Sequence, residues 1–140
     1  MTKHPMTVAL ENLDLDGLRA GIAQNVSFHS PVLAPEASTL VGRDLTMLVL
    51  GTAVMGFGVP TNVTEYRGED GRLMVTFDGA MDEHPLQVAV AMAEAADGSV
   101  DDIAVYMRPH PVVTLFRDHM RANLTPDPVP DSAWELPVGV

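Results

Sequence analysis

His29 and Ser30 stand side by side in NVSFHSPVL, the run from Asn25 to Leu33, between Phe28 and Pro31. An imidazole can serve as a general base or hydrogen-bond donor near neutral pH. A hydroxyl can serve as a nucleophile once a base activates it. Successive side chains of an extended segment face opposite ways, so one of the two is expected to point inward. A nucleophilic serine also needs an orienting acid, and no G-x-S-x-G elbow occurs in the chain. Ser30 therefore reads as the start of the turn into Pro31. His29 keeps two readings, a pocket base or donor and a satisfied histidine at a strand end.

Four further positions could carry acid–base or binding chemistry. Glu65 and Tyr66 are adjacent in TNVTEYRG, so one of them faces inward. Asp78 lies in the middle of RLMVTFDGAMD, where a carboxylate facing a cavity would have a raised pKa and could act as acid or base. Its neighbours Leu73, Val75, Phe77 and Met81 share the other face, which is the natural pocket wall, so an exposed or subunit-facing Asp78 is the competing reading. Tyr106 and Arg108 share a face of VDDIAVYMR. Tyr106 could donate to a substrate oxygen, and Arg108 could bind a carboxylate or enolate or simply pair with a surface acid such as Asp102 or Glu94. Glu83 and His84 fall in a turn. His110, Asp118 and His119 lack the spacing of a metal-ligand set such as H-E-x-x-H, and GTAVMGFG ends a helix rather than opening a phosphate loop. No metal and no cofactor are expected.

The elements that must position these groups can be read from periodicity. Residues 1–12 read as a loose lead-in. Asp14 or Asp16 offers an N-cap to a helix carrying Leu15, Leu18 and Ile22 on one stripe and ending near Asn25. Val26 and Phe28 then make a short strand closed by Pro31, and APEAST reads as a loop. GRDLTMLVLGTAVMGFG predicts a helix after Gly42, ending near Gly56 or Gly58. It is apolar almost all round, so either the fold wraps it or a partner covers one face. From Val59 the period becomes two. TNVTEYRG, RLMVTFDGAMD, LQVAVAMAEA and VDDIAVYMR predict a four-stranded antiparallel meander. Pro111 suits the first turn of a last helix, PVVTLFRDHMRAN. The Pro-rich tail, 125–140, reads as an extended or disordered arm with Trp134 as its anchor. One domain, 1–124, is expected to precede it.

Composition narrows the function classes. A chain of 140 residues with 46% hydrophobic and 19% charged residues can bury one ordinary core. A formal net charge of −11 argues against non-specific nucleic-acid binding and against anionic membrane surfaces. The absence of cysteine excludes disulfides and thiol nucleophiles. MTKHPMTVALENLDLDG does not read as a signal peptide, and no run reaches the length of a membrane span. A cytoplasmic protein is the expectation, and the nine methionines suit an adaptable core.

The order helix, strand, apolar helix, four-stranded meander, helix resembles the nuclear transport factor 2-like superfamily, and within it the SnoaL-like branch of small bacterial proteins. VSFHSPV, GRDLTMLVLGTAV, the DG that opens the last strand and the VYMRP that ends it carry the resemblance, over roughly Leu13 to Leu124. It implies a cone-shaped α+β barrel, cystatin-like, in which a curved antiparallel sheet wraps helices around a mainly apolar pocket. It also implies a frequent homodimer. Relatives include ketosteroid isomerases, polyketide cyclases, dehydratases and epoxide hydrolases, and also proteins without known activity, so fold alone decides little about reaction. Many SnoaL-like sequences hold an acid on the strand LQVAVAMAEA, at the place of Ala91, flanked by Ala89 and Ala93.

Two functions follow as expectations. One is a proton-transfer enzyme of isomerase, cyclase, dehydratase or epoxide-hydrolase type on an apolar oxygenated substrate. His29, Asp78, Tyr106 and Glu65 would be its catalytic candidates, with Arg108, Phe28, Phe77, Met81, Phe57 and Tyr66 binding substrate. The other is a non-catalytic binder of an apolar small molecule, or a dimeric interaction protein. An enzyme should place an acid or histidine inside a cavity of several hundred Å³, whereas a binder's lining should be wholly apolar. Homodimerisation is expected because LQVAVAMAEA is apolar on both faces.

Overall fold

The computed structural model describes residues 2–136. The supposed lead-in is a helix, α1 (Pro5–Glu11). It has no Ser, Thr or Asp cap. The His4 ring accepts from the Met6 N–H at 3.0 Å instead, and Pro5 supplies the pre-set first turn. Helix α2 (Leu15–Gly21) is capped by Asp14, which accepts from the Gly17 N–H at 3.0 Å. It stops earlier than the stripe Leu15, Leu18 and Ile22 suggests, because Ile22 already begins strand β1 (Ile22–His29).

Strand β2 (Thr39–Val41) lies at the end of the segment read as a loop and pairs antiparallel with β1. Helix α3 (Arg43–Phe57) follows, then β3 (Thr61–Arg67), β4 (Arg72–Met81), β5 (His84–Glu94) and β6 (Val100–Arg108), all close to their expected bounds. Helix α4 (His110–Leu124) closes the series. The sheet order is β2-β1-β6-β5-β4-β3, so the meander is extended by β1, which runs parallel to β6.

Alternation sorts the sheet into two faces. Leu73, Val75 and Phe77 of β4, Leu86, Val88, Val90 and Met92 of β5, and Ile103 and Val105 of β6 are buried under the helices. Each such side chain stabilises the fold by about 1.5–3 kcal/mol. Helix α4 buries Val112, Phe116, Met120 and Leu124, the spacing of one helical face. Helix α3 buries Val49, Ala53 and Phe57 but leaves Leu48 and Met55 exposed, so the fold covers one side of this apolar helix and not the other. Among the described residues no helix is long and apolar enough to cross a membrane.

The segment after α4 folds back as far as it is described. Val129, Ala133 and Trp134 are buried, a short 3-10 turn spans Asp131–Trp134, and Ala34 N–H donates to the Ala133 carbonyl at 2.7 Å. Arg121 holds Asp131 at 2.7 Å and Glu135 at 3.0 Å. The expected extended arm is thus a packed segment with three buried anchors rather than Trp134 alone. Residues 137–140 lie outside the described part.

A candidate apolar cavity and the residues around it

The interior between sheet and helices holds a cavity of about 50 Å³. Phe77, Val88, Val90, Val105 and Met107 form its sheet wall. Val49, Ala53, Phe57, Phe116 and Met120 form its helical wall, with the ring centroids of Phe57 and Phe77 5.5 Å apart and those of Phe57 and Phe116 6.1 Å apart. Val129 and Trp134 close it from the returning C-terminal segment, and Pro31 to Leu33 close it beside them. Pro31, Val32, Leu33 and Trp134 also line a groove of about 220 Å³ on the outside, next to the start of α4. Trp134 and the Pro31–Leu33 loop are therefore the partition between that groove and the interior.

Among the described residues, no acid, histidine, lysine, arginine or tyrosine lines the cavity. Its one side-chain hydroxyl is Ser30, whose Oγ accepts from the Val32 N–H at 3.2 Å and so belongs to the turn before the loop. No imidazole or carboxylate of the lining could activate it. The space can bind apolar atoms by dispersion and desolvation, but it offers no group that could take or give a proton.

The sequence-derived candidates divide between two faces and do not converge. Phe28, Phe57 and Phe77 line the cavity, and Met81 is buried without lining it. His29 lies on the outer face of the sheet, its Nε2 2.9 Å from Asp102 and its Nδ1 3.1 Å from the Thr39 hydroxyl. It is the satisfied histidine at a strand end. Asp78 also faces outward and accepts from the Asn62 amide at 2.8 Å. Tyr106 and Tyr66 are exposed on that face, and Arg108 donates there to Gln87. Ala91 pairs with Met74 and Ala104 on the outer face, and Ala89, Ala91 and Ala93 do not line the cavity. The inward residues of that strand are Leu86, Val88, Val90 and Met92.

Glu65 lies on the helical side of β3 but outside the cavity, beneath α1. It accepts from the His4 N–H at 2.7 Å, the Thr7 hydroxyl at 2.5 Å and Arg67 at 2.9 Å, while the His4 ring reaches Glu94. Burial pushes its carboxyl pKa up. The hydrogen bonds from Thr7, His4 and Arg67 outweigh that and leave it below the usual range. A depressed pKa contributes stability that is present above the unfolded-state value, about 4.3, and is lost as pH falls through the folded value. Protection of α1 amides in hydrogen exchange is therefore expected to be full at pH 6 and to fall as the pH drops below about 4.3 in the parent chain. In Glu65→Gln it should already be low at pH 6 and should change less. Matching profiles for the two chains would remove Glu65 as the anchor of α1.

No family model matches the chain, and no curated protein matches it. Solved structures do match. An uncharacterised protein with a cystatin-like fold from Silicibacter pomeroyi superposes with a TM-score of 0.73 at 25% identity, covering 88% of this chain and 84% of that one. A steroid delta-isomerase from Pseudomonas aeruginosa gives 0.70 at 21% identity, covering 84% of each chain. A proposed polyketide cyclase from Pseudomonas putida gives 0.61 at 11% identity, covering 78% of this chain and 90% of that one. The chain has the cystatin-like, nuclear transport factor 2-like α+β fold, as the order of its elements implied.

Proposed function

We propose that this protein binds a small apolar molecule in the cavity between sheet and helices and does not transform it. The observation that carries the reading is the lining: apart from the Ser30 hydroxyl it is built from apolar side chains, and among the described residues every acid, histidine, lysine, arginine and tyrosine lies outside it. A volume of about 50 Å³ is less than the roughly 150 Å³ that holds benzene in an engineered apolar cavity. Occupancy therefore needs a side chain to give way, and Trp134 in the partition belongs to a segment outside the sheet and the four α-helices. The isomerase and cyclase activities named for two structural neighbours support the competing reading, a proton-transfer enzyme, at the level of fold. That reading needs an acid or imidazole to enter the cavity.

The chain is also read as a homodimer formed through the outer sheet face. Ala89, Ala91, Ala93 and Ala104 give that face a shallow floor that a second sheet could approach closely. Trp134 is the chain's only tryptophan and reports directly on the cavity wall. Titration with benzene or cyclohexane is expected to shift its emission saturably, together with the methyl resonances of Met107 and Met120. Flat titrations would remove the binding reading. Turnover of a cyclic enone that survives in His29→Ala and Asp78→Asn would instead call for a catalytic group not placed in the cavity.

A further inference from the structure

The outer face of the sheet carries a charge pattern that the cavity does not use. Tyr106 and Tyr66 stand from it, 60% and 56% exposed, beside the alanine floor. Two open grooves of about 360 and 450 Å³ meet at Tyr106. Four charged side chains mark the corners. Asp78 and Arg108 lie in one transverse row of the ladder, joined through Gln87, and Arg72 and Asp102 lie in another, joined through Ala93. On β4 the aspartate and arginine are six residues apart, 78 against 72, and on β6 the same spacing recurs with the order reversed, 108 against 102. At about 3.3 Å per residue and 4.8 Å per strand the corners form a rectangle of about 20 by 10 Å. Its signs alternate around the perimeter.

Three of these corners are held in place. Asp78 accepts from Asn62, Asp102 lies against His29 and Arg108 donates to Gln87. Arg72 makes no side-chain hydrogen bond among the described residues.

An alternating rectangle is complementary to itself. A two-fold axis lying between two such faces can run across the strands, and Asp78 then meets Arg72 of the copy while Arg108 meets Asp102. It can run along the strands, and Asp78 then meets Arg108 while Arg72 meets Asp102. Both placements give aligned sheets. A diagonal axis gives crossed sheets and brings like charges closest, aspartate to aspartate and arginine to arginine. Each chain carries −11, so two copies repel at a distance and the contact needs matched signs locally.

We propose that Arg72, Asp78, Asp102 and Arg108 select a second copy of this chain as the partner of the outer face, in aligned and not crossed packing, through four intersubunit ion pairs. This rests on the homodimer reading above and specifies its contacts and geometry. Each substitution counts twice in a two-fold contact.

Sedimentation equilibrium at low salt tests the proposal on the full chain. Asp78→Arg and Arg72→Glu are each expected to weaken self-association by about tenfold or more. One of the double variants, D78R/R72E or D78R/R108E, is expected to return within about threefold of the parent. Recovery in the first places the axis across the strands, and recovery in the second places it along them. The thermal midpoint of each variant, read at a concentration where the parent is dissociated, confirms that these surface changes leave the fold intact. Single reversals that associate as the parent does, or two doubles that both stay weak, would overturn the charge code while leaving a dimer in place. A parent chain that stays monomeric at every concentration, or that pairs only with a different protein, would overturn the homodimer reading itself.

Discussion

Trp134→Ala is expected to lower stability by about 3 kcal/mol and at the same time to increase uptake of apolar probes. Trp134 is 4% exposed, and its indole N–H donates to the Thr125 hydroxyl at 2.7 Å. Truncating a buried tryptophan costs about 3–5 kcal/mol when the surroundings hold their shape. The lower figure applies here because the segment can detach. Once it peels away from Arg121 and Ala34, the loss is limited to the free energy of docking that segment. For a chain of this length about 3 kcal/mol corresponds to a fall of about 10 °C in the midpoint. The two readouts separate a plug from a mere brace. Thermal unfolding should show the loss, and benzene should restore part of it in the variant more than in the parent, since a ligand stabilises the state it binds. A variant that is destabilised but insensitive to benzene would leave Trp134 as packing only.

The second large effect is expected at Phe77. It sits on the buried face of β4, 3% exposed, against Phe57 on one side and the cavity on the other. Phe77→Ala removes about a phenyl ring of volume next to existing space, so the lining has little to collapse onto. A loss of about 3–5 kcal/mol is expected, with the Phe57 contact contributing about 1 of it. Phe77→Leu keeps most of the volume and should cost less. The enlarged cavity should admit benzene in Phe77→Ala and hold it more tightly than in Trp134→Ala, because β4 is hydrogen-bonded between two strands whereas the C-terminal segment lies outside the sheet. Equal benzene responses in the two variants would indicate that the partition, and not the cavity volume, controls binding.

Much of the architecture was legible because it rests on local periodicity. Leu73, Val75 and Phe77 alternate with Met74, Thr76 and Asp78, and that alternation alone places Asp78 opposite the core. Strand β5 was harder, since apolar residues occupy both of its faces. The signal was in side-chain volume. Leu86, Val88, Val90 and Met92 alternate with Gln87, Ala89, Ala91 and Ala93, and the large set faces the helices. Helix α1 was missed because seven residues with a histidine cap give almost no local pattern, and only Pro5 marks its start. Strand β2 was missed because three residues with mixed polarity form a strand only against β1.

By itself, the sequence determined the order of α2, β1, α3, the meander and α4, and with it the fold class, since each follows from spacing along a continuous stretch of chain; α1 and β2 did not. It also supplied every residue type with acid–base potential. Only the tertiary structure decided which of them meet. His29, Asp78, Tyr106 and Arg108 all project from the outer face, and Glu65 accepts hydrogen bonds from His4 and Thr7 at α1, so the cavity is left to apolar side chains and the Ser30 hydroxyl. The C-terminal segment shows the same limit. Val129, Ala133 and Trp134 follow no period, and their burial depends on a cavity mouth assembled from α3, α4 and the Pro31–Leu33 loop. Contacts of that kind join parts of the chain far apart in sequence, and no local pattern encodes them.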